Sequence, residues 1–305
     1  MTIHWDEAGR EWHLGNGRIS WAIRVLENGW LGHLHAGAPL RPGSSLRHLG
    51  PASFEGFTNR VGEPIALELP VPGVGDTRVP ALVVEGPDGS TVLDLRYAGH
   101  RILTGKPDLA GLPSSYTGSD DEGETLEIDL RDEPTGLVAT VRTTIFAGRP
   151  VIARSLTIRN EGQAPLTVRA AMSVALDLPD ARWRLITLDG TWGRERHPHD
   201  RPLVPGRQGV GSLLGISSHE HNPFILLRRP ETTEDAGEAF AVGLVYSGNF
   251  LAEADVDPFA TARLRIGIHP TGFAWRLEPS QAFTTPEAVV AWSDAGIGAA
   301  SEAIH

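Results

Sequence analysis

Apolar side chains in this sequence recur at every second position, a period that fits a pleated strand with one buried face and does not fit a helix over the same residues. Ile19, Trp21, Ile23 and Val25 fall on one such face, Leu126, Ile128 and Leu130 on a second, and Leu264, Ile266 and Ile268 on a third. Residues that tolerate tight turns stand between these runs: Asn28-Gly29, Pro87-Asp88-Gly89 and Asn160-Glu161-Gly162. The 305 residues include 35 glycines and 23 prolines, a density that favours many short strands over long helices. Residues 137–146 run into Ala147-Gly148-Arg149-Pro150 and residues 151–158 return, which predicts a long antiparallel pair. Residues 166–176 follow as a third strand. No repeat of about 20–50 residues recurs, against a propeller or solenoid. Large sheets without alternating helices predict an all-β sandwich or barrel.

Charge and cysteine content remove several functional classes. The formal charge is −11 and no basic stripe appears, so nucleic acid is not an expected partner. The chain has no cysteine, which excludes disulfides, thiolate zinc sites, iron–sulfur clusters and cysteine nucleophiles. Neither a phosphate-binding glycine loop nor a dinucleotide fingerprint is present, and no cofactor is expected. Apolar runs are too short to span a membrane, and the first ten residues lack a signal-peptide layout. A reducing, cytoplasmic setting is expected. Near the end, Ile297, Ala300, Ser301 and Ile304 take helical spacing without a glycine or proline stop. This reads as a helix begun on an apolar face and continued by further polypeptide.

Four clusters can carry chemistry. In Gly73-Val74-Gly75-Asp76-Thr77-Arg78, two glycines allow a sharp turn. The turn presents Arg78 as a fork toward hydroxyls or carboxylates, or else closes on a local Asp76–Arg78 pair. In Asp189-Gly190-Thr191-Trp192-Gly193-Arg194-Glu195-Arg196-His197, an indole flanked by glycines either stacks on a sugar face or packs in the core. The segment Ser217-Ser218-His219-Glu220-His221-Asn222-Pro223-Phe224 places two histidines on one strand face. Their ligand set is not convincing, so no metal is expected. Tyr246-Ser247-Gly248-Asn249-Phe250 reads as a strand end entering a bend. Among 38 acidic residues no pair stands out as the two carboxylates that glycoside cleavage requires.

In their order along the chain, these clusters together with Gly105-Lys106-Pro107, Leu112-Pro113-x-x-Tyr116, Thr125-Leu126-Glu127, Asn160-x-Gly162 and Thr285-Pro286-Glu287 resemble the family 36 glycoside hydrolases. These are retaining α-galactosidases and their raffinose-type relatives. The resemblance implies an antiparallel β-supersandwich, galactose-mutarotase-like, over residues 1–290, with residues 291–305 starting a helical linker toward a (β/α)₈ catalytic barrel. Both catalytic aspartates belong to that barrel, so no catalytic residue is expected in this chain, which alone should be inactive. The implied function is a non-catalytic domain that packs on the barrel, helps wall the galactose pocket and supports a homo-oligomer. An α-galactoside would be bound only in that context. The tryptophan matched by Trp192 reaches over the barrel mouth in the family. The arginine matched by Arg78, beside Asp76, approaches a neighbouring subunit in tetrameric members. Thr77 replaces the family's aromatic there, and Ile65-Ala66-Leu67-Glu68-Leu69-Pro70 stands where a Glu-Tyr-Pro-like stretch is usual, which weakens the expectation for Arg78. Two rival readings are a stand-alone carbohydrate-binding module and a mutarotase-like epimerase with His219 as acid and Glu220 or Glu195 as base.

Overall fold

A computed structural model describes residues 2–41, 43, 46–49 and 66–305; Ile65 of the altered upstream segment lies outside them. Among the described residues the chain forms twenty strands and one α-helix. The chain opens with β1 (Thr2–Asp6), β2 (Glu11–Gly15), β3 (Ser20–Val25) and β4 (Leu31–Gly37), a four-stranded meander in sequence order. Then come β5 (Leu82–Glu85), β6 (Arg96–Thr104), β7 (Gly123–Asp132), β8 (Leu137–Phe146), β9 (Val151–Asn160) and β10 (Leu166–Leu178). They are followed by β11 (Arg184–Thr191), β12 (Arg194–Pro202), β13 (Gly206–Ser212), β14 (His221–Arg228) and β15 (Ala239–Val245). The last strands are β16 (Phe250–Val256), β17 (Ala262–Ile268), β18 (Trp275–Leu277), β19 (Ala282–Thr284) and β20 (Glu287–Ser293), before α1 (Gly296–Glu302).

Two further sheets complete the architecture. A ten-stranded sheet runs β12-β11-β14-β15-β20-β9-β8-β7-β6, with β19 also on β9. A six-stranded sheet runs β13-β16-β17-β10-β18, with β5 also on β10. The named strand pairs are antiparallel, so the fold is an all-β sandwich with a short C-terminal helix. The predicted long pair is β8 and β9, in register from Leu137 opposite Asn160 to Ile145 opposite Ile152. The third strand of that run, β10, leaves this sheet. It pairs with β17, β5 and β18 in the six-stranded sheet. Its C-terminal half is buried on both faces, so it suits a central strand between two layers of side chains. Asn160 fixes the departure: its amide donates to the carbonyls of Ala164 and Leu277 and accepts from the Gly162 amide.

One hydrophobic core joins all three sheets. Trp12, Leu14 and Trp21 come from the first, Val168, Phe250 and Leu264 from the six-stranded, and Ile128, Ile152 and Phe240 from the ten-stranded. A charge also enters this core. Arg154 alternates with Ile152 and Leu156 on the inner face of β9, and its side chain is buried. Glu68 meets it. The Glu68 carboxylate pairs with Arg154, lies 2.6 Å from His33 Nδ1 on β4 and accepts the indole N–H of Trp21 on β3 at 3.0 Å. The Arg154 guanidinium stacks 4.9 Å over the Trp21 ring. Burial works to raise the Glu68 carboxyl, but Arg154 and His33 outweigh it and hold it below the usual range.

On the outer face of the ten-stranded sheet, a second cluster of Phe146, Val151, Leu226 and Val289 is covered by Ala300 of α1, with Ile297 and Ile304 beside it. The apolar face read from the C-terminal spacing is therefore occupied by this chain's own sheet.

Glu68→Gln keeps the shape of the Arg154 site and removes its counter-charge. Stranding a buried guanidinium should lower stability by about 3–5 kcal/mol, read as a drop in the urea midpoint at pH 7 without a change in slope.

Candidate functional site

Trp192 stands at the tip of the β11–β12 hairpin and is 88 % exposed. The local sequence leaves little choice in this. Thr191 pairs with Arg194, so Trp192 and Gly193 form a two-residue connection. Gly193 takes φ +75°, the left-handed region that glycine enters without a Cβ penalty. Gly190 is required for another reason. A Cβ there would lie 2.3 Å from the Arg194 carbonyl oxygen, where the strands approach at a bulge. The Glu195 carboxylate accepts the Gly193 amide at 2.7 Å. That bond, with the charges of His219 and Arg196 nearby, holds the Glu195 carboxyl below its ordinary range.

The hairpin is braced at its root by β14. His221 Nδ1 lies 2.6 Å from Asp189 Oδ1, Thr187 Oγ1 donates to Asp189 Oδ2 at 2.7 Å, and the Gly190 amide donates to the Glu220 carbonyl. Sequence spacing had set His219 and His221 on one face. In the structure β14 begins only at His221, and His219 sits in the preceding bend, exposed to solvent. Among the described residues no group of three histidines or carboxylates has the arrangement of a metal site. The Asp189–His221 pair went unread because its partners are 32 residues apart and nothing in their spacing signals it.

Asp76 and Arg78 lie elsewhere, in the loop before β5, and the Arg78 guanidinium is turned inward, its side chain 11 % exposed. Its Nε donates to Asp76 Oδ1 at 2.9 Å, and a second nitrogen lies 3.1 Å from Asp177 Oδ2. Arg263 on β17, fully buried, bridges Asp76 at 2.6 Å and its cross-strand neighbour Asp177 at 2.6 and 2.8 Å. Burial alone would raise the Asp76 carboxyl, but Arg78 and Arg263 hold it below the usual carboxylate range. Burial acts to lower Arg263, and Asp177 and Asp76 more than offset it, so its pKa rises.

Three further motifs converge far from where each stands in the chain. Lys106, the sole lysine, places Nζ 2.8 Å from Glu287 Oε2, with both side chains buried. Glu287 Oε1 accepts the Ser115 amide and hydroxyl at 2.7 and 2.6 Å. The Ser217 and Tyr246 clusters also meet. Ser217 Oγ bonds the Tyr246 and Gly248 carbonyls, and Asn249 Oδ1 accepts the Gly215 amide at 2.7 Å.

Residues 29–278 match the family description Glycosyl hydrolase family 36 N-terminal domain. The chain is 39 % identical to α-galactosidase AgaA of Geobacillus stearothermophilus, covering 100 % of this chain and 43 % of that protein. A crystal structure of the α-galactosidase from Lactobacillus brevis superposes with a TM-score of 0.96 at 37 % identity, over 99 % of this chain and 42 % of the other. A variant of AgaA in complex with raffinose superposes with a TM-score of 0.91 at 40 % identity, over 97 % and 42 %. The chain thus spans less than half the length of the relatives it matches.

Two outcomes follow for stability. Trp192→Ala should change the unfolding free energy by no more than about 0.5 kcal/mol, whereas Gly190→Ala should loosen the hairpin, read as faster amide hydrogen exchange in β11 and β12. Asp76→Asn should lower stability by about 3 kcal/mol at pH 7. Because the folded carboxyl is depressed, that difference is full above the unfolded value of about 3.9 and narrows as pH falls through the folded value. Urea midpoints of both proteins at pH 7 and near pH 3 measure it.

Proposed function

The chain belongs to the glycosyl hydrolase family 36 N-terminal domain family, and from that premise we propose that it serves as the non-catalytic N-terminal domain of a retaining α-galactosidase. In this reading the domain packs on a (β/α)₈ catalytic barrel, and residues 291–305 lead toward it. The barrel supplies both carboxylates of the chemistry, and this domain supplies part of the pocket wall. The observation that carries the reading is Trp192: a large indole held out in solvent on a braced two-residue turn gains nothing for its own fold. Single exposed apolar side chains are common, but an indole held rigidly clear of the fold is a ready stacking surface for a partner or a ligand.

The indole would close over the apolar face of a galactosyl ring. Such a contact contributes about 0.5–1.5 kcal/mol, by analogy with aromatic pairs. Gly190, Gly193 and the Asp189–His221 brace would hold it at one angle, which limits the entropy lost on binding. Asp76 and Arg78 act at a remove. Their burial supports a part in fixing loop 73–78, and any contribution to a neighbouring subunit or a homo-oligomer would pass through that loop. The epimerase reading is not favoured: His219, Glu220 and Glu195 are exposed residues of a bend and a hairpin.

The purified chain should not hydrolyse an aryl α-galactoside. Joined to its catalytic domain, the Trp192→Ala enzyme should lose about tenfold in kcat/KM for α-galactosides, with unfolding unchanged. Turnover by the chain alone that survives repurification, or an unaltered kcat/KM in the variant, would count against the proposal.

A further inference from the structure

A cavity of about 630 Å³ opens between the edge of the six-stranded sheet and the bend after β15. Its size falls within the range of small-ligand pockets, about 300–1,000 Å³. One wall is aromatic. Trp275 on β18 is 50 % exposed, and its ring is backed by Phe283 on β19 at 5.3 Å between centroids. Phe273 also meets Phe283, at 5.6 Å between centroids. The indole thus leans at a tilt on a buried ring, lines the cavity, and keeps half of its surface open.

Polar side chains also line the cavity. Asn249 Oδ1 is engaged by the Gly215 amide at 2.7 Å, which fixes the side-chain amide and leaves its NH₂ group without a partner among the described residues. His269 Nδ1 accepts the Thr271 amide at 3.1 Å, so the ring proton sits on Nε2, which is likewise unpartnered among them. Thr271 adds a hydroxyl at the rim. Burial disfavours the imidazolium form of His269. No arginine, lysine, aspartate or glutamate lines the cavity, in a chain that carries 27 basic and 38 acidic residues.

A half-open indole and neutral donors lining one cavity, with no formally charged side chain in that lining and Glu253 acting on His269 only from outside it, match a ligand that has one apolar face and a rim of hydroxyls. They do not match a phosphate, a carboxylate or a cation, each of which would need a counter-charge. We propose that this cavity is a second saccharide site on the domain, taking one neutral hexopyranose unit of an oligosaccharide by stacking on Trp275 and hydrogen bonding to Asn249 and His269. It is separate from Trp192 and does not depend on that residue's role. It nevertheless lies toward the same end of the molecule. The β13–β14 loop touches the cavity at Gly215 and the foot of the Trp192 hairpin at Glu220. Five residues of chain span at most roughly 18 Å.

The test uses the 305-residue chain itself. Raffinose, stachyose and galactose are titrated into isotopically labelled protein, with glycerol as the control polyol. Saturable shifts of the Trp275 indole N–H and the Gly272 amide are expected, with a Kd in the millimolar range, on the order of 1–10 mM. Trp275→Ala should weaken binding about tenfold, whereas Trp192→Ala should leave it unchanged. His269→Gln, which leaves the aromatic stack intact, provides a second variant and should weaken it as well. Absence of saturable shifts in the wild-type chain, equal shifts with glycerol, or binding lost in Trp192→Ala and kept in Trp275→Ala would each overturn the proposal. None of these outcomes bears on turnover by the Trp192→Ala enzyme, so the two readings fail separately.

Discussion

Arg154 occupies the core-facing side of a central strand, where burying a guanidinium is costly unless a carboxylate is held against it. Glu68 supplies that carboxylate from a short segment bridged to β4, Leu67 lying opposite Gly32, and in doing so gathers Trp21, His33 and Arg154 around one point. The four-stranded sheet is thereby tied to the ten-stranded sheet by directional bonds, where hydrophobic contact alone would leave their relative slide weakly specified. The same device recurs twice. Asp76, Asp177 and Arg263 lock the loop before β5 onto the β10–β17 pair, and Lys106 with Glu287 locks the 105–116 segment onto β20. Each fastener joins segments distant in the chain, and in each the carboxylates accept more than one hydrogen bond, while Arg154 Nε is left without a partner among the described residues.

Legibility from the sequence followed the range of the interactions. The alternating faces at Trp21, Ile128 and Leu264 became β3, β7 and β17, because a period of two is local and its reading needs no partner. The β8–β9 hairpin was legible for the same reason: Gly148, at φ +68°, sits in the turn between two apolar runs. Where β10 goes was not legible. Leaving one sheet for another depends on Asn160 reaching Leu277, 117 residues away. In the candidate site, the glycines flanking Trp192 allowed either an exposed or a core indole, and its 88 % exposure is settled by the two-residue turn. The inward turn of Arg78 was not legible either, since it depends on Asp177 and Arg263. The family motifs could be recognised in order, but their spatial meaning, three of them meeting at Glu287, emerges only from contacts spanning up to 172 residues.

The two aromatic features at the exposed end differ in how they are supported. Trp192 is carried by backbone geometry, with glycines and a braced root and almost no packing of its own. Trp275 is carried by side-chain packing, resting on Phe283 and through it on Phe273. An indole held by backbone alone is suited to being covered from outside, while one set into an aromatic stack already defines half of a binding surface. The chain thus presents one indole as a projection and the other as a wall.

The hairpin that carries Trp192 also ends the ten-stranded sheet, since β12 is its last strand. Sheet edges are templates, and a row of free N–H and C=O groups invites a stray strand from another molecule to add on. Along Arg194–Pro202 that template is spoiled: Pro198 and Pro202 carry no amide hydrogen, Arg196 breaks the pleat at φ +59°, and nearly every side chain is exposed, several of them charged. The exposed edge beside the indole is in this way a poor template for fibre-like growth, a property carried by the same nine residues that form one leg of its hairpin.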